Sequence, residues 1–158
     1  MSARVGIGYD SHRLVAGGPL LLGGVEIPFE LGLDGHSDAD VLTHAVIDAI
    51  LGAAAAGDIG SHFPPTDEGW RDADSIGLLG EVLRELGGSV VNVDATVICE
   101  RPAIGPHRDA IAARLGEAVG APVSVKATTN EGLGAIGRGE GIAAIAVALF
   151  DPAGTGAE

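Results

Sequence analysis

Two segments constrain the fold more than any others. Ser89 to Ile98 is Val-rich, with Asn92, Asp94 and Thr96 alternating against apolar neighbours, and Ile142 to Phe150 is almost wholly apolar. Both read as strands by period and length, and both are too apolar for a sheet with one face left in water. Only three helices are on offer to cover that sheet. The first runs from Asp38 as N-cap through Val41, Ala45, Ile50 and Leu51 to about Ala56, with Gly57 as its stop; the second runs from Asp74-Ser75 to Gly87-Gly88; the third runs from about His107 to Val119. Arg4 to His12, Leu20 to Ile27 (with a turn or bulge at Gly23-Gly24) and Val123 to Ala127 supply further strands. Leu31 to Ser37 reads as a Gly-containing loop, Asp58 to Asp72 is broken by Gly60, Pro64, Pro65 and Gly69, and a Gly-rich loop runs to Gly141. The expected fold class is α+β, a mixed sheet with helices on one face. The second face is expected to be buried against other copies of the chain.

The length of 158 residues suits one domain with a real core. Residues 1–151 are expected to form it and 152–158 a small, polar, disordered tail. Aromatic residues make up 3% and Gly numbers 26. The core must therefore be built from Val, Ile, Leu and Ala, with Gly at turns and close backbone approaches. No apolar run is long enough to span a bilayer, and Arg4 and Asp10 flank too short an apolar stretch for a signal peptide. The single cysteine, Cys99, fits a reducing compartment, so the expected location is cytoplasmic. A net charge of −13 argues against nucleic acid and anionic membrane as partners. If such a chain binds a phosphate, it must bring positive charge locally, through metal ions, backbone N–H groups or a few basic side chains.

Candidate ligands for such a metal stand out. In a strand, Asp10 and His12 point to the same face, and His44 on the long helix is the best third ligand. Asp-His-His leaves one tetrahedral position open, as expected where zinc must also bind substrate. An Asp–His hydrogen bond in a surface turn explains the first pair equally well. Asp40, His44 and Asp48, spaced four apart, form one stripe, which a solvated helix face would also explain. Gly35-His36-Ser37-Asp38 adds an imidazole and a hydroxyl at the helix entry, where backbone N–H groups favour anions.

Several motifs in order carry a stronger message. Gly8-Tyr9-Asp10-Ser11-His12, His36-Ser37-Asp38-Ala39-Asp40, His44, Gly57-Asp58-Ile59-Gly60, Val125-Lys126-Ala127-Thr128-Thr129-Asn130-Glu131 and Gly137-Arg138-Gly139-Glu140-Gly141 strongly resemble the 2-C-methyl-D-erythritol 2,4-cyclodiphosphate synthase family. The likeness runs from about Arg4 to Phe150. It implies a metal-dependent phosphorus–oxygen lyase of the non-mevalonate isoprenoid pathway. Such an enzyme converts 4-diphosphocytidyl-2-C-methyl-D-erythritol 2-phosphate to the 2,4-cyclodiphosphate and releases CMP. It also implies a ferredoxin-like subunit in a homotrimer, with sheets facing the three-fold axis and active sites between subunits.

By the same resemblance, Asp10, His12 and His44 match zinc ligands, and Glu131 matches the carboxylate that holds magnesium or manganese on the cytidine diphosphate. His36 and Ser37 match a mobile loop near the substrate phosphate and, with Lys126 and Thr129, are the expected catalytic residues. Asp58, Ile59, Gly60 and Phe63 match the segment that holds the methylerythritol. Pro102, Ala103, Ile104 and Gly105 match the cytosine loop, and Thr128 and Thr129 lie near the nucleotide phosphates. Arg138 falls among the substrate-binding positions, although a pairing with Glu140 at the trimer's central channel is the expected role. Asp40 and Asp48 are candidates to orient a ligating histidine through its other ring nitrogen. Three departures stand out: Ala39 replaces a common Gly, Ala103 a common Lys, and Ala135 a large apolar residue. Two other functions fit parts of the pattern: a zinc phosphohydrolase acting on a nucleotide diphosphate, with the same ligands, and a metal-dependent nucleotide-binding module without turnover. The cytosine loop and Glu131 favour the cyclase over both.

Overall fold

The computed structural model describes residues 2–153. Strand β1 (Arg4–Ala16) is followed by a hairpin of β2 (Leu20–Leu22) and β3 (Val25–Ile27), then β4 (Leu31–Leu33), helix α1 (Val41–Ala53) and the short α2 (Ile59–His62). Helix α3 (Ser75–Leu86), β5 (Ser89–Ile98), α4 (Arg108–Val119), β6 (Val123–Thr128), the short α5 (Gly134–Gly137) and β7 (Gly141–Asp151) complete the chain. The main sheet has the order β4-β1-β7-β5-β6, with only β5 and β6 parallel. The expected α+β class and mixed sheet are therefore observed. The Gly23-Gly24 turn closes the small hairpin.

Glycine sets the distance between helix and sheet. A Cβ on Gly6 would lie 2.0 Å from the Ala49 carbonyl oxygen, and one on Gly8 would lie 1.9 Å from that of Ala45. Only glycine in β1 opposite alanine in α1 allows this approach. The same face of the sheet carries buried Val93, Ala95, Val97, Ala144, Ala146 and Ala148. The opposite face exposes Val5 (68%), Ile7 (70%) and Tyr9 (59%) of β1 beside Ile145 and Val147 of β7.

The structure departs from the sequence reading at several boundaries. Helix α1 is capped by Asp40, not Asp38: the Asp40 side chain accepts from the Thr43 N–H, while Ala39 turns the chain at φ 56°. The helix ends at Ala53, and Ala55 at φ 56° turns the chain away. Leu31–Leu33, read as loop, pairs with Leu14–Ala16 as an edge strand too short to show a period. Within the irregular stretch, Asp58 caps the single turn of α2 by accepting from the Ser61 N–H. Where the tail was expected to begin, Pro152 and Ala153 form a turn, with the Ala153 N–H donating to Asp151 Oδ1 (3.1 Å). The rest of that tail, 154–158, lies outside the described residues. Among the described residues, no helix is long and apolar enough to cross a membrane.

Candidate metal centre and active site

Alternation in β1 turns Asp10 and His12 to the helix-covered face, and the close approach of α1 brings His44 over them. Asp10 Oδ2, His12 Nε2 and His44 Nδ1 converge: His12 and Asp10 are 2.9 Å apart, His44 and Asp10 3.1 Å, and His12 and His44 3.2 Å. A tetrahedral ion with bonds of about 2.0–2.1 Å has ligand–ligand edges of about 3.3 Å, so the three atoms stand close to the spacing such an ion needs. They form a carboxylate–histidine cluster able to hold a metal. His44 is 8% exposed and Asp40 1%, which removes the solvated-face reading of the helix stripe.

The electrostatics fit the same role. Burial alone would raise the Asp10 carboxyl, but hydrogen bonds and charge from His12 and His44 outweigh it and hold the group well below the usual carboxylate range. Burial would lower His12, yet the hydrogen bond and charge of Asp10, helped by the Asp34 carbonyl, hold it above its ordinary value. The carboxylate thus attracts positive charge to the point where the three ligand atoms meet.

Supporting contacts come from Ser37, a candidate from the sequence, and from two groups that sequence reasoning passed over, the Asp34 carbonyl and Ser75. His12 Nδ1 lies 2.9 Å from the Asp34 carbonyl. His44 Nε2 lies 2.8 Å from Ser75 Oγ and 3.0 Å from Ser37 Oγ. The acids expected to orient a histidine are used elsewhere. Asp40 accepts from the N–H groups of Gly23, Gly24 and Thr43 and from the Thr43 hydroxyl, tying the small hairpin to α1. Asp48 accepts from the Ile59 N–H (2.7 Å), fixing the start of α2; burial, together with the charges of Asp58 and Asp10, raises its carboxyl.

The cluster sits in a cleft of about 210 Å³, lined also by His36, Ser37, Ile59, Gly60, Phe63 and Trp70. His36 is held by a contact from Nε2 to the Asp67 carbonyl (3.1 Å), and Phe63 meets Trp70 edge-on with ring centroids 4.8 Å apart. A second pocket is lined by Pro102, Ala103, Ile104, Thr128 and Thr129 together with Phe29, Cys99, Glu100 and Arg101. The two pockets share no lining residue. The register row Ser11–Ala143–Ile98–Thr128 nevertheless puts Ser11, between two of the cluster residues, and Thr128, in the second pocket, at one end of the sheet, three strand spacings or about 14 Å apart.

The remaining candidates are dispersed. Glu131 sits at φ 53° on the exposed loop after β6, and Glu100 clamps that loop by accepting from the N–H groups of Asn130 (2.8 Å) and Gly132 (3.3 Å). Lys126 pairs with Asp94 on the bare face of the sheet. Arg138 pairs with Glu140 (2.6 Å), as its motif suggested, and lines a third pocket with Arg101 and Glu100. Gly105 opens the 3-10 turn that leads into α4. Ser75 had a sequence signal only as a helix start, and Glu100 had none.

Fold and site together define a class: an α+β protein with an Asp-His-His cluster able to hold a metal at the end of a mixed sheet. The chain belongs to the YgbB family, whose model matches residues 3–151, the family of the 2-C-methyl-D-erythritol 2,4-cyclodiphosphate synthases. The synthase of Symbiobacterium thermophilum is 59% identical over 152 residues, covering 92% of this chain and 97% of that protein. The synthase of Desulfosudis oleivorans is 58% identical over 153 residues, covering 93% and 91%. A solved structure of a 2-C-methyl-D-erythritol 2,4-cyclodiphosphate synthase in a CDP-bound form superposes with a TM-score of 0.85 at 38% identity, covering 94% of this chain and 100% of that one.

Proposed function

We infer that this chain is a lyase that converts 4-diphosphocytidyl-2-C-methyl-D-erythritol 2-phosphate to 2-C-methyl-D-erythritol 2,4-cyclodiphosphate and CMP. The observation that carries this reading is the convergence of Asp10, His12 and His44 to within 3.2 Å in a cleft, in a chain whose relatives bear that activity's name. In the reaction, an oxygen of the 2-phosphate forms a bond to the β-phosphorus, the bond from that phosphorus to the bridging oxygen breaks, and CMP leaves with the electron pair. No protein nucleophile is needed. The barrier lies in folding one anion onto another, so positioning and electrostatics carry the catalysis.

The chain's side chains suit that work. Asp10, His12 and His44 would hold zinc and Glu131 magnesium or manganese, and these ions would supply the positive charge on the phosphates that a −13 chain lacks. The Ser37 hydroxyl and the His36 ring face the cleft beside the ligands, within reach of a phosphate. Asp58 spends Oδ1 on the Ser61 N–H and hydroxyl, which hold its carboxyl below the usual range. Its Oδ2 is left to accept from a methylerythritol hydroxyl. Phe63 and Trp70 form an apolar wall of the same cleft. Pro102 to Gly105 would take the cytosine, and Thr128 and Thr129 the nucleotide phosphates.

The working unit is a homotrimer with its active sites between subunits. The exposed apolar face of the sheet supports assembly. The separation of the metal cleft from the second pocket within one chain supports a site built from two chains. Incubation with the cytidyl substrate and magnesium, followed by phosphorus NMR, tests the reading. CMP with a cyclic diphosphate is expected, whereas CMP with an open-chain diphosphate would make the chain a hydrolase.

A further inference from the structure

Ser75 is fully buried, and its hydroxyl stands between two groups, Asp38 Oδ1 and His44 Nε2 (2.8 Å). A serine has one proton to give. Asp38 meets Ser75 twice as an acceptor: Oδ1 takes the hydroxyl and Oδ2 takes the Ser75 N–H (2.9 Å). The Asp40 N–H also donates to Asp38 Oδ1 (3.2 Å). The Ser75 proton is therefore committed to Asp38, and Ser75 presents only lone pairs to His44. The contact with His44 is a hydrogen bond only if Nε2 carries the proton. The remaining ring nitrogen, Nδ1, is then the one free to bind a cation, and it is the atom that meets Asp10 and His12.

We propose that Asp38 and Ser75 form a buried relay that positions His44 for metal binding, fixing the tautomer in which Nε2 donates and Nδ1 ligates. The relay rests on the reading of Asp10, His12 and His44 as a metal site. It spans three elements: Asp38 lies in the loop before α1, Ser75 begins α3, and His44 lies within α1. It also places α3 in the service of a site to which it gives no ligand. Ser37 approaches the same nitrogen at 3.0 Å from the cleft side, but no carboxylate stands behind it, so its hydroxyl proton remains free to turn toward the ring or the cleft. The relay therefore rests on Ser75 and not on Ser37.

Zinc affinity, measured by competition with a chromophoric chelator, tests this without any substrate. Loss of a partner behind a ligating histidine typically costs 10–100-fold in metal affinity. Ser75→Ala is expected to weaken zinc binding by about that factor while leaving the far-UV circular dichroism unchanged. Ser37→Ala is expected to weaken it less. Ser75→Thr keeps the hydroxyl and is expected to bind more tightly than Ser75→Ala. In the zinc-loaded wild type, the His44 Nε2 proton should exchange slowly with solvent in NMR spectra, and in Ser75→Ala it should exchange fast. If His44→Ala loses zinc while Ser75→Ala keeps wild-type affinity and slow exchange, the relay is overturned and the metal site stands. A wild-type chain that binds no zinc overturns the metal site and the relay's role with it.

Discussion

His12 holds its proton more tightly in the folded chain than in the unfolded one, and that sets how the metal-free protein responds to pH. A raised folded value contributes stability that is fully present below the unfolded value of about 6.5 and is lost as pH rises through the folded one. A metal has the opposite preference, since it needs the neutral ring. Chelator should therefore lower the melting temperature little near pH 6 and markedly more near pH 8, as read by scanning fluorimetry; an equal fall at both would contradict the assignment of His12 as a ligand. Ala39 makes a separate prediction. At φ 56° and 1% exposed, it bears about 1–2 kcal/mol of left-handed strain. Ala39→Gly relieves this strain but gives up a buried methyl, about 0.8 kcal/mol, and adds about 0.4–1 kcal/mol of unfolded-state freedom. The variant should lie within about 1 kcal/mol of wild type by urea denaturation. Ala45→Gly, in the buried interior of α1, should cost about 2 kcal/mol. Strand alternation made Asp10 and His12 legible as neighbours, but a surface turn and a solvated helix face explained the spacings as well, and it took the family resemblance to set them and His44 apart as candidate ligands. The Asp34 carbonyl, Ser75 and Glu100 were not legible, because a backbone oxygen has no sequence signature and a contact such as His44–Ser75 depends on how α3 packs.

At the scale of elements, the long strands and the three main helices were legible from their periods. The short pieces were not, since β4, α2 and α5 owe their form to neighbours and caps rather than to any repeat of their own. The position of α1 depends on what β1 lacks. Because a Cβ at Gly8 would stand 1.9 Å from the Ala45 carbonyl oxygen and 2.7 Å from the Ala49 N, backbone and not a flexible side chain must yield. Gly8→Ala should lift α1 from the sheet, costing about 3 kcal/mol or more, since overpacking typically costs 1–3 kcal/mol and backbone is the less compliant neighbour. It should also weaken zinc binding, because His44 rides on α1 while Asp10 and His12 stay on β1. A Gly8→Ala chain with unchanged stability and zinc affinity would show that this contact does not set the ligand spacing. Gly52, where a Cβ comes no nearer than 3.8 Å to the Ile7 carbonyl oxygen, is the control. Gly52→Ala should stabilise α1 by a few tenths of a kcal/mol up to about 1 kcal/mol.

At the scale of the whole molecule, the bare face of the sheet has two halves. Register aligns Val5 with Leu149, Ile7 with Val147 and Tyr9 with Ile145 across β1 and β7, and then Asn92, Asp94 and Thr96 on β5. Beyond these, Ser124 and Lys126 stand on β6. The apolar half is what an interface core requires, and the polar half, with its Lys126–Asp94 pair, suits a rim. Ile7, 70% exposed and flanked by Val5, Tyr9 and Val147, is the point to test. Ile7→Glu removes little from the isolated fold, because the side chain touches no part of the helix-side core. In a trimer it would bury three carboxylates near one another, a cost of several kcal/mol for each unpaired charge. Sedimentation should therefore find the wild type at three times the 15.7 kDa chain mass and Ile7→Glu at the mass of one chain, with unchanged circular dichroism. Cyclase activity should fall with assembly although no ligand has been altered, because the metal cleft and the second pocket share no residue within one chain. A monomeric Ile7→Glu that kept full activity would mean that one chain holds the whole site, and the two pockets would then have to be bridged by the substrate within a single subunit.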